Sequence, residues 1–112
     1  MLDRRRVAKN FAAAVNMTAG ELGAWLETDE SHRVGWKGAN GRRGESVGHA
    51  SGRRIVEILR KPPVELGDAD FAHMRMVVSY VRRHLAQEPA NVATSRWRYS
   101  LMNWGHDPLK DR

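Results

Sequence analysis

One segment constrains the fold more than any other. Phe71, Met74, Val77, Val78, Val81 and Leu85 recur at three- and four-residue spacing behind Asp68 and Asp70, and the run ends before Pro89. That period predicts one long amphipathic helix, started by an aspartate and stopped short of the proline. Arg75, Arg82 and Arg83 fall on its other side, as a basic stripe. No segment shows the two-residue alternation of a half-buried strand, so the chain reads as all-α.

The remaining helices follow from caps and breakers. Val7, Phe11, Ala14 and Val15 keep helical spacing behind Asp3, with Arg4, Arg5, Arg6 and Lys9 in the same turns. Positive charge at a helix N-terminus opposes the macrodipole, so helix stability alone does not account for these arginines. Residues 1–6 read either as the start of this helix or as a mobile basic arm. Thr18 and Glu21 have capping-box spacing, Met17 and Leu22 can staple it, and Leu22, Trp25 and Leu26 form the apolar face of a second helix running to about Thr28. Asp29, Glu30 and Ser31 then read as a polar exit. Ser46 or Ser51 caps a third helix striped by Ile55, Val56, Ile58 and Leu59 and stopped by Pro62 and Pro63. Thr94 and Ser95 precede a last helix in which Trp97, Leu101 and Trp104 recur, with Gly105 placed to end it. The expectation is a single small domain over residues 1–112, of four to five helices around one modest core. A glycine-rich basic loop joins helices two and three, and residues 106–112 form a short tail.

Charge bears on partners. The chain of 112 residues carries a formal net charge of +6, with fifteen arginines to four lysines. Such a balance favours acidic partners, and arginine is the better bidentate ligand for phosphate, although GC-rich coding explains the same ratio. There is no cysteine, which excludes a disulfide framework, a thiolate zinc site and a cysteine nucleophile. No apolar run has signal-peptide or transmembrane length, so the expectation is a cytoplasmic protein with no membrane partner.

Residues 35–54, GWKGANGRRGESVGHASGRR, set Lys37, Arg42, Arg43, Arg53 and Arg54 against one acid, Glu45. Gly38, Gly41, Gly44, Gly48 and Gly52 let the backbone approach a ligand, so the stretch reads as an anion-binding element or, more plainly, as a solvated loop. With Ser51 as the cap, Gly52, Arg53 and Arg54 occupy a first turn, where free amides and two guanidiniums converge on one anion. Catalytic and metal chemistry find less. Adjacent Asp29, Glu30 and His32 diverge on a helix, and the five histidines lack tight ligand spacing. Ser46, His49 and Asp107 lack a nucleophile elbow, and no GKS or GKT phosphate loop occurs. The expectation is no enzyme, no cofactor and no metal.

Four blocks, NMTAGELGAWLETDES, GESVGHASGRRIVEILRK, DFAHMRMVVSYVRRHLAQ and TSRWRYSLMNWGHDP, together resemble a family of small proteins of unknown function from bacteria and some fungi. Members are often labelled as DNA-binding. The resemblance spans almost the whole chain and implies a complete single domain; it supplies no mechanism. It puts Ser46, Gly48, His49, Gly52 and Arg53 inside a block and Gly38 to Arg43 between blocks. The sequence therefore points to a nucleoid-associated protein that binds double-stranded DNA mainly through phosphates. Arg53 and Arg54 hold phosphate, with Ser46 and His49 beside them, Arg42, Arg43 and Lys37 reach along the backbone, and Arg82 and Arg83 extend the positive surface. RNA shares this phosphate logic. The rival is a protein-interaction module in which SVGHASGRR recognises an acidic or phosphorylated partner. Oligomeric state is not readable.

Overall fold

Each helix begins where a side chain can take a free backbone amide. The computed structural model describes residues 3–35 and 44–110, leaving Trp36, Lys37, Arg42 and Arg43, with most of the expected glycine-rich loop, outside the described residues. Asp3 caps α1 (Arg4–Ala14), accepting from the Arg6 amide at 3.1 Å. Thr18 and Glu21 complete a reciprocal capping box on α2 (Ala19–Leu26), and Met17 and Leu22 are both buried beside it. Thr28 caps α3 (Asp29–Arg33), Ser46 caps α4 (Val47–Arg60) and Ser95 caps α6 (Arg96–Asn103). Pro63–Glu65 make one 3-10 turn before α5 (Asp68–Leu85), where the Asp70 carboxylate reaches back to the Gly67 amide at 3.0 Å.

Among the described residues the architecture is six α-helices and no strand, one helix more than the sequence suggests. The additional one is α3. Its five residues read as a polar exit because they carry no apolar period; Ser31, fully buried, is what ties it to the core. α1 packs along α5 and α2 along α4, while α6 lies against α2, α3, α4 and α5. The shared core takes Val7 and Phe11 from α1, Leu22 and Leu26 from α2, Ile55 and Ile58 from α4, Met74, Val77, Val78 and Val81 from α5, and Trp97 and Leu101 from α6, closed by Trp104. Leu59 and Leu85, expected in the stripes, are 37% and 36% exposed because each lies at the edge of its helix's buried face. Among the described residues no helix is long and apolar enough to cross a membrane.

Two glycines set the closeness of this packing. A Cβ on Gly52 would lie 2.5 Å from the Asn103 carbonyl oxygen and 2.6 Å from Leu26 Cδ2, so only a bare Cα lets α4 press on α2 and α6. Gly105 has φ +83°, the left-handed conformation that ends α6 in a Schellman motif: its amide bonds Met102 O and that of His106 bonds Leu101 O, both at 3.0 Å.

At the N-terminal end the first of the two readings holds, while the C-terminal end departs from the sequence reading. Arg4 to Arg6 form the first turn of α1 and not an arm; Arg4 pairs with Asp68 and lies 4.8 Å over the Phe71 ring. The segment after Gly105 is packed rather than a loose tail. His106 Nδ1 lies 2.7 Å from Ala14 O, the Asp107 amide donates to Asn16 Oδ1 at 2.8 Å, and Pro108 is buried.

Candidate nucleic-acid interface

Two groups of arginines stand out, one held by carboxylates and one gathered in a groove without them. Because Ser46 is the cap, Arg53 and Arg54 lie two turns into α4, so first-turn amides and guanidiniums do not converge on an anion as they would with a Ser51 cap. Ser51 is buried inside the helix, with its Oγ 2.9 Å from His73 Nε2. The Ser46 hydroxyl is 1% exposed and accepts from the His49 amide at 3.0 Å, which leaves it facing protein.

Arg53 is engaged by Glu45. Its Nε donates to Oε2 at 2.6 Å and its Nη2 pairs with Oε1. Glu45 also meets His49 Nδ1, and His49 Nε2 lies 2.8 Å from Leu26 O, so the imidazole bridges the start of α4 to the end of α2. His32 stacks on His49 with ring centroids 4.3 Å apart. Hydrogen bonding to Arg53, followed by the bond to His49, holds the Glu45 carboxyl at about 2. An incoming phosphate would have to displace this carboxylate. Arg54 and Lys61 both reach Asp70, at 2.9 Å each, and the Gly67 amide is the largest of the influences that hold that carboxyl at about 2. Arg98 is likewise held by Asp107, through Nε and Nη2 at 3.1 Å. The segment SVGHASGRR thus uses Ser46, His49, Ser51, Arg53 and Arg54 in contacts within the domain.

The other environment is a groove of about 470 Å³ where α1 lies along α5. Val7 and Val78 form its floor; Arg6 and Asn10 stand on the α1 side, and Arg75, Ser79, Arg82 and Arg83 on the α5 side. Arg75 and Arg82, seven residues apart, are about 10 Å apart along the helix axis. Among the described residues the guanidiniums of Arg6, Arg75 and Arg82 have no carboxylate partner, and Arg83 makes only a long 3.4 Å contact with Ser79 O. The single acid in the lining, Asp3, is occupied in capping α1. Arg82 and Arg83 are therefore brought together with Arg6 and Arg75, and Arg53 and Arg54 are not part of this surface.

Residues 10–102 match the family model described as Protein of unknown function (DUF3140). The chain belongs to that family. In this DUF3140 protein the matched segment carries Arg75, Arg82 and Arg83, while Arg6 precedes it. No curated protein and no solved structure matches the chain. Arg6 and Arg75 escaped the sequence-based choice of ligands because the pairing of α1 with α5 has no local signature. The usable signal was spacing: Arg6 with Asn10, and Arg75 with Ser79 and Arg82, each repeat along one helix face. Among the described residues no group of three or more His, Asp or Glu side chains is arranged to hold a metal ion.

Proposed function

We propose that this protein binds double-stranded DNA through the phosphate backbone, with low sequence specificity, and that one strand lies along the groove between α1 and α5. The observation that carries this reading is the set of unpartnered guanidiniums of Arg6, Arg75 and Arg82 in one groove, in a protein whose Arg4, Arg53, Arg54 and Arg98 are each matched to a carboxylate. Like charges held together repel one another, and an anion relieves that repulsion while accepting forked hydrogen bonds. A net charge of +6 adds long-range attraction to a polyanion. The eighteen-residue length of α5 suits contacts spaced along a backbone, and Ser79 and Asn10 can add neutral contacts to phosphate oxygens. The resemblance to proteins often labelled as DNA-binding points the same way, and a cytoplasmic, nucleoid-associated setting is part of the proposal.

The test is fluorescence anisotropy on duplex DNA, single-stranded DNA and RNA over a range of salt. Four phosphate contacts give a slope of log affinity against log salt of roughly −3.6 on duplex DNA. Arg6→Gln, Arg75→Gln and Arg82→Gln together flatten it by about 2.7. An affinity that ignores salt, or a triple variant that binds as the parent does, overturns the reading, and a preference for RNA reassigns the polymer.

A further inference from the structure

A second recess lies between α4, α5 and α6, with a volume of about 300 Å³, and Val47, Gly48, Met76, Tyr80, Arg83 and Trp104 line it. We propose that it is a binding site for a small carboxylic acid with an apolar body, adjoining the α1/α5 groove through the shared Arg83.

The argument begins with Trp104. Most of the side chain is buried, with the residue 5% exposed, and no hydrogen bond ties its indole N–H to another of the described residues. An indole N–H can only donate. This one faces the bare Cα of Gly48: a Cβ there would stand 2.9 Å from Nε1, so glycine keeps the donor open to the recess. Arg83 supplies a second donor at the same recess and has no carboxylate partner among the described residues.

The acceptors nearby are already used. Asn103 Oδ1 takes the Trp25 indole N–H at 2.7 Å and the Ser31 hydroxyl at 2.5 Å, and Ser100 is hydrogen-bonded to Tyr80. An acceptor with one negative charge meets both free donors, and one guanidinium matches a monoanion better than a dianion.

The walls specify the rest of the ligand. Val47 and Met76 are 47% and 53% exposed, so apolar surface already stands in water at the mouth. Trp104 and Tyr80 stack with centroids 4.2 Å apart, and Tyr80 stacks on His84 and Trp104 on His73. Those faces are covered from within, which leaves ring edges and the Met76 thioether to pack around an apolar body.

The experiment contains no nucleic acid, so it stands apart from the fate of the DNA reading. Phenylacetate is titrated into uniformly 15N-labelled protein and the Trp104 indole N–H signal, assigned by its loss in Trp104→Phe, is followed. Acetate and benzyl alcohol serve as the anion without the body and the body without the anion. The expected result is a saturable shift with phenylacetate alone. Arg83→Gln and Met76→Glu, both at exposed positions and checked for unchanged far-UV circular dichroism, should weaken it by roughly tenfold, the loss of one charge-assisted contact. An unmoved Trp104 signal, an equal response to acetate, or unchanged binding in Arg83→Gln overturns the proposal.

Discussion

Replacing Asn103 by alanine should destabilise the domain by about 4 kcal/mol, as the structure of its hydrogen bonds implies. Asn103 is fully buried; Oδ1 accepts from Trp25 Nε1 at 2.7 Å and Ser31 Oγ at 2.5 Å, and Nδ2 donates to Ser31 O at 3.1 Å. The two acceptor contacts fix the amide orientation, because the indole can only donate. Removing the side chain strands two polar groups of Ser31, which is also 0% exposed, and each costs about 1–3 kcal/mol unless water reaches it. Trp25 is half-buried and can turn its N–H toward solvent, so its share is smaller. The vacated volume adds a cavity cost. For a domain of this size about 4 kcal/mol corresponds to a fall in Tm of roughly 15 °C. Calorimetry and urea unfolding of the parent, Asn103→Ala, Ser31→Ala and the double variant measure both the loss and the coupling. The double variant should be less damaged than the two losses added together, by about 1–2 kcal/mol. A loss under about 1 kcal/mol, or strict additivity, would refute the network.

Further outcomes follow from the same geometry. Gly52→Ala should destabilise by about 1–3 kcal/mol even though alanine is the better helix former, because its methyl meets the Asn103 carbonyl and Leu26; thermal unfolding decides, and a rise in Tm contradicts the packing. Burial, more than any other influence, lowers the pKa of both His73 and His84 below the ordinary 6.5, so the unfolded chain takes up protons first as pH drops. Their contribution to stability is present above about 6.5 and lost as pH falls through the folded values, and the urea midpoint at pH 5.5 should lie below that at pH 7.5. Arg53→Ala should leave the salt slope of DNA binding within about one unit of the parent while lowering Tm, since Glu45 loses its main partner; a collapse of the slope would move the interface to α4.

Much of the helical layout was legible because its signals are local. Thr18 with Glu21, Ser95 three residues before Arg98, and the apolar period from Phe71 to Val81 each sit within a few turns of one helix. What could not be read depends on pairs far apart in the chain. Ser31 turns a polar run into α3 only because Asn103, 72 positions later, meets it. The arginines show the same division: a run such as Arg53-Arg54 announces charge, but Glu45 and Asp70 decide whether that charge is free. Arg6 gains its importance from α5, whose first residue is Asp68, and nothing near Arg6 in sequence says so.

The clasp between the turn after α1 and the segment after α6 also bears on how a nascent chain folds. Asn16 and Asp107 bond across 91 positions, and His106 reaches Ala14 across 92. While the protein is being synthesised, α1 and α2 emerge long before the residues that secure the turn between them, and before α5, against which α1 packs. Short helices without packing partners are marginal in water, so these two wait unfolded or frayed. The domain then closes late and as one unit, which makes its folding slower than that of a bundle built from neighbouring helices.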